Sequence, residues 1–306
     1  MTGHLRVSSP WSQLGIFLGL FGGAFVISSV LMGIFILSKG VPIQDANNID
    51  WSKPELISTM KWIQGISSIL IFLLPAVLYA RISFTAKPFY FLGLKQAEKL
   101  HMYGLAILCI MLAFPFVIWL GELNQHIPLP DWMTAMEKDT AKQMEALLKV
   151  HKPIDIVINV LIIAVLPAIC EELCFRGALQ RILINCTKNP WAGIIFTAIL
   201  FSALHLQFQG FLPRMFLGVV LGALYWFSGS LWTSIVAHFI TNAVQVLVAS
   251  YATKYISENP VVRFYLALIS ALAVFGILRL YQRLSTITWS KVYDRNGLTP
   301  HNNYIA

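Results

Sequence analysis

The feature that most constrains this chain is its division into long apolar runs with almost no charge inside them. Eight stretches reach the length needed to cross the roughly 30 Å hydrocarbon core of a bilayer, about 17–25 residues. They lie at 13–38, 57–80, 101–121, 154–184, 190–207, 211–228, 231–250 and 261–282. In hydrocarbon every backbone polar group must be satisfied within the protein, so runs of this length fold as helices. The expected fold class is therefore all-α, a polytopic membrane protein of about eight transmembrane helices. Only 12% of residues are charged and 57% are hydrophobic, against roughly 25% and 45–50% in soluble domains. The first run is followed by no small-residue cleavage site, so it reads as a retained span rather than a leader.

Four regions follow: residues 1–121 with the first three spans, a linker at 122–153, spans four to seven at 154–250, and the last span with a polar tail at 251–306. Within the linker, Trp132, Met133, Met136, Met144, Leu147 and Leu148 recur at near-helical spacing among charges. This predicts an amphipathic helix at the membrane interface. Gly15, Gly19 and Gly23 share one face of the first span, and Gly218 and Gly222 one face of the sixth. Small residues at that spacing predict close helix packing.

The net charge of +8 does not point to nucleic acid, because the bases flank apolar runs in the manner of loops meeting anionic lipid. With the N-terminus inside, the inner segments hold twelve Lys and Arg against ten outside. The outer count falls to six without the four of the long linker, which favours cytosolic N- and C-termini. Cys109, Cys170, Cys174 and Cys186 form no C-x-x-C pair and read as apolar packing residues.

Ionisable residues inside a membrane are costly and mark function by default. Here they gather in the second half: Glu171, Glu172 and Arg176 in span four, His205 in span five, His238 and Asn242 in span seven. Glu171 lies 17 residues before Lys188 and His205 lies 17 after it, so antiparallel helices joined near 185–190 hold the two level. His238 and Asn242 are one turn apart on the same face, roughly 12–20 Å below the 228–230 turn at about 1.5 Å per residue. Glu172 and Arg176 are spaced for a helical ion pair, leaving Glu171 pointing about 100° away and free. A carboxylate and an imidazole at one depth can activate water, as bases or as ligands of a metal. His238 and Asn242 can donate to an oxyanion. Together these residue types suggest hydrolysis of an amide bond.

Three short patterns, E-E-L-C-F-R (Glu171 to Arg176), F-S-A-L-H (Phe201 to His205) and H-F-I-T-N (His238 to Asn242), occur in that order. They resemble the E-E-x-x-x-R, F-x-x-x-H and H-x-x-x-N motifs of the CAAX prenyl protease family (CPBP or Abi) of intramembrane endopeptidases. The resemblance covers roughly residues 154–250. It implies an eight-helix core with a site open to the cytosol, water activated by Glu171 and His205, an oxyanion held by His238 and Asn242, and support from Glu172, Arg176 and Phe201. The substrate implied is a membrane-associated or lipidated peptide or protein. Glu171, His205 and His238 can also form a three-ligand zinc set with an open position; a metal-free glutamate mechanism uses the same residues. Two other classes remain open on the residues alone: a catalytically silent membrane scaffold, and a proton-coupled transporter, which would show paired broken helices in two repeated halves.

Overall fold

The computed structural model describes residues 9–38, 40, 54–83, 87–97, 99–150, 152–251 and 260–287. Among these the chain is helical, without strands. Among the described residues, seven helices are long and apolar enough to cross a membrane. They are α1 (Pro10–Ser38), α2 (Leu56–Ile82), α3 (His101–Gln125), α5 (Pro153–Thr187), α7 (Phe211–Ser228, preceded by the helical turn Phe208–Gly210), α8 (Leu231–Tyr251) and α9 (Phe264–Leu284). Between α3 and α5 lies α4 (Asp131–Leu148); between α5 and α7 lies α6 (Pro190–Ala203). The protein is an integral, multi-pass, all-α membrane protein. The remainder of the polar tail, residues 288–306, lies outside the described residues.

The span expected at 190–207 is shorter than its apolar run. Helix α6 has 14 residues, about 21 Å of rise, and ends at Ala203. Its start is well specified: Pro190 occupies the first turn, and the Asn189 side chain accepts from the amides of Trp191 and Ala192, satisfying donors that a helix start leaves open. Past its end the backbone turns sharply, with Leu206 at φ 53°. His205 therefore sits on a connection rather than in a helix.

Two of the spanning helices widen just before a proline. In α2 a π-helical turn at Ile69–Leu73 precedes Pro75, and in α5 one at Val160–Val165 precedes Pro167. Proline has no N–H to donate and its ring crowds the carbonyl four residues back; the wider turn removes that clash. A third such segment, Leu173–Gln180, spans Arg176 and follows the two glutamates directly. At its Gly177 a side chain would lie 2.8 Å from the Leu92 carbonyl oxygen. The wide turn thus sits where α5 meets the 88–97 segment.

Glycines set the distances between the central helices. A Cβ at Gly218 would lie 2.9 Å from Ala198 Cβ, and one at Gly222 would lie 2.6 Å from Gln180 Oε1. Helix α7 can therefore lie directly against α6 and α5. The matching expectation for the first span is not met: Gly15, Gly19 and Gly23 meet nothing within 4 Å among the described residues. Helix α1 packs through Phe17 instead, against Tyr79 of α2, and turns its glycine face outward. Helix α4 is amphipathic as expected, with Leu147 and Leu148 buried. Met144 and Leu148 join Val246 and Ala249 of α8 and Val160 and Ile163 of α5. Trp132 remains largely exposed, with one ring edge on Phe208.

Candidate active site

Helix α5 carries Glu171 and Glu172 at the end of an α-helical stretch, Leu166–Glu172, immediately before the wide segment that holds Arg176. Glu172 and Arg176 are fully buried, and Arg176 Nη1 donates to Glu172 Oε1 at 2.7 Å. The other arm of the guanidinium reaches across to α7, where Nη2 donates to the Gly218 carbonyl at 3.2 Å. That contact depends on the glycine-mediated approach of the two helices. The expected neutralising pair is present.

The same Glu172 oxygen also accepts from α8: His238 Nδ1 lies 2.9 Å from Glu172 Oε1. With a carboxylate as acceptor the proton is on Nδ1, which directs Nε2 away from Glu172. Nε2 then faces Glu171, with Oε2 at 3.9 Å. The adjacent glutamates bracket one imidazole, each facing a different ring nitrogen. Their surroundings differ, however. The Glu172 side chain is sealed, whereas that of Glu171 retains 10% exposure and makes no hydrogen bond among the described residues. Of the two, Glu171 is the one placed to meet water.

Phe201 joins the remaining members. Its ring lies edge-on to Phe175 at 5.1 Å and to His238 at 5.8 Å, the Arg176 guanidinium sits 4.5 Å from its centroid, and the His205 ring is 4.9 Å away. The F-x-x-x-H spacing has a further consequence. His205 Nδ1 donates to the Phe201 carbonyl at 2.7 Å, so Nε2 is left with its lone pair outward. Asn242, one turn beyond His238, is half-buried and makes no hydrogen bond among the described residues. Residues 173–184 of α5 are buried throughout, while His205 and Asn242 are partly exposed. The group is thus closed toward the 185–190 turn and borders open space toward the 204–210 connection.

Glu171, His205 and His238 are the residues a zinc ion would use. Among the described residues no group of three His, Cys, Asp or Glu comes together to hold a metal. His238 commits Nδ1 to Glu172 and His205 commits Nδ1 to Phe201. Both bonds leave Nε2 as the ring nitrogen open to another partner. The four cysteines are free, with Cys109, Cys170 and Cys174 buried in the core, as their apolar surroundings suggested.

Some polar contacts near the site have no sequence signature. Gln180 Nε2 donates to the Gly222 carbonyl at 3.1 Å, one turn along from the Arg176–Gly218 contact. Asn124, at the end of α3, bonds the connection that carries His205. In the sequence Asn124 reads as an ordinary polar flank of a span, and only its burial in the fold distinguishes it.

Residues 153–244 match the family model described as type II CAAX prenyl endopeptidase Rce1-like. No curated protein and no solved structure matches the chain. All three motifs, from Glu171 to Asn242, fall inside the matched segment, which is therefore similar to the Rce1-like CAAX-type intramembrane proteases over about a third of the chain.

Proposed function

We propose that the protein hydrolyses a peptide bond of a membrane-associated or lipidated peptide or protein with water activated by Glu171 and His205. The observation that carries this reading is the unequal placement of two adjacent carboxylates around one histidine. Glu172 is committed to Arg176 and His238, while Glu171 makes no hydrogen bond among the described residues and keeps 10% of its side chain exposed. In this scheme the water oxygen attacks the scissile carbonyl carbon as its proton passes to Glu171 or to the free Nε2 of His205. The tetrahedral oxyanion is met by His238 and by the Asn242 amide. The proton taken up then moves to the leaving amine, giving an acid and an amine from one peptide and one water. Glu172 fixes the orientation of His238 and pairs with Arg176.

The test uses purified protein in detergent or vesicles with quenched fluorescent peptides, lipidated and plain. Wild type is compared with Glu171→Ala and His205→Ala, each with and without a chelator. The expected result is cleavage by wild type and a loss of about 10²–10⁴-fold in both variants, the usual contribution of a positioned acid or base. Equal background from wild type and both variants on every peptide would overturn the scheme. Loss of wild-type cleavage on chelation, restored by added zinc, would replace it with a metal-based one.

A further inference from the structure

We propose that Asn124 is a positioning residue for His205, a role that rests on the peptidase reading above. His205 has no helix to hold it: α6 ends at Ala203 and the chain passes through Leu206 at φ 53°. A bulky side chain rarely adopts that left-handed conformation, and it persists only where the surroundings over-determine it. The connection must therefore be held from outside.

Asn124 supplies that hold. It is 2% exposed and grips both sides of the short helical turn Phe208–Gly210. Its Nδ2 donates to the Phe208 carbonyl at 2.9 Å, and its Oδ1 accepts from the Leu212 amide at 2.7 Å. The Leu212 amide belongs to the first turn of α7, where a helix has no internal acceptor to offer. Residue Gly210, at the capping position, provides no side-chain bond. Asn124 thus caps α7 from another helix, and in doing so fixes where the connection ends.

Three further contacts complete the frame. Ser202 Oγ donates to the Phe211 carbonyl at 2.7 Å, Arg214 Nη2 donates to Gln207 Oε1 at 2.6 Å, and the Gln209 amide donates to Glu137 Oε1 of α4 at 3.1 Å. Ser202 and Arg214 act from the ends of the connection itself. Asn124 and Glu137 lie outside the segment that matches the family model, so the setting of His205 depends on the N-terminal part of this chain. Asn124 is the better placed of those two, being buried and doubly bonded, whereas Glu137 is half-buried with one bond.

The test compares wild type with Asn124→Leu, which removes both bonds at similar volume, Asn124→Gln, which keeps the amide, and Glu137→Ala. Steady-state cleavage of the quenched peptides is measured beside amide hydrogen exchange of residues 204–212 and 173–184. For Asn124→Leu the expected result is a kcat lower by at least tenfold with KM within twofold. Exchange over 204–212 should be at least tenfold faster, and exchange over 173–184 unchanged. Asn124→Gln should recover part of both losses, and Glu137→Ala should speed exchange at Gln209 with a smaller effect on kcat. Unchanged exchange over 204–212 in Asn124→Leu overturns the proposal. So does equal loosening of 173–184, which marks a general loss of fold, or an unchanged kcat despite a loosened connection. If the wild type cleaves none of the peptides, the peptidase reading fails first. The exchange comparison still decides whether Asn124 holds the connection.

Discussion

Replacing Arg176 by methionine isolates what holds the centre of the protein together. The guanidinium and Glu172 are both fully buried with 2.7 Å between Nη1 and Oε1. At that distance two unit charges attract by about 6 kcal/mol at an effective dielectric near 20. Removing the arginine leaves a buried carboxylate that can take up a proton, which limits the loss, and measured costs of breaking such pairs are about 3–5 kcal/mol. The methionine also forfeits the contact with the Phe201 ring. With about 2–4 °C per kcal/mol for a chain of this order of size, Arg176→Met should melt roughly 6–20 °C below wild type in detergent, followed by tryptophan fluorescence. Adding Glu172→Gln to the same chain should restore much of this, because the amide carries no charge and its oxygen still accepts from His238 Nδ1. Lys142→Ala is the control: its partner Asp139 is 3.9 Å away and both side chains are mostly exposed, so the change should be about 0–1 kcal/mol. If Arg176→Met melts within about 2 °C of wild type, or the double variant melts lower than Arg176→Met alone, the buried-pair argument is wrong.

Two further outcomes can be checked by the same melting assay. Gly222→Ala places a Cβ 2.6 Å from Gln180 Oε1 and 2.9 Å from Ile194 Cγ2, an overpacking expected to cost about 1–3 kcal/mol. Gly19→Ala meets nothing and should leave the melt unchanged or slightly higher; equal effects at the two positions would refute the packing account. Burial, with the Arg181 charge adding to it, holds Lys95 down to a pKa of about 7 from its ordinary 10.5. Between those values the unfolded chain binds more protons than the folded one, so stability should rise with pH from about 7 upward. Lys95→Met should flatten that rise, and an undiminished slope in the variant would assign it to other groups.

The three motifs name the residues of the site but misplace their contacts. Spacing predicts the Glu172–Arg176 pair because residues four apart share a helix face, and the pair is present. Spacing also leaves Glu171 out of that pair, and it makes no hydrogen bond among the described residues. That its Oε2 lies 3.9 Å from His238 Nε2 depends on how α8 meets α5, which spacing along α5 does not encode. His205 reads as part of a span because its surroundings are apolar. No proline or glycine in A-L-H-L-Q announces the end of α6, and the left-handed turn at Leu206 is imposed by tertiary contacts.

The sequence by itself determines that this chain lives in a membrane as a bundle of helices, since runs so long and so poor in charge have no other way to satisfy their backbones in hydrocarbon. It also determines which polar residues are set at depth, because each is an exception within an apolar run. Which oxygen meets which nitrogen was decided only by the tertiary structure. Glu172 serving both Arg176 and His238, Phe201 lying between two histidines, and Asn124 capping α7 from α3 are all contacts between separate helices. Their geometry depends on how closely those helices approach, which glycines such as Gly218 and Gly222 permit and which residue spacing along a single helix does not encode.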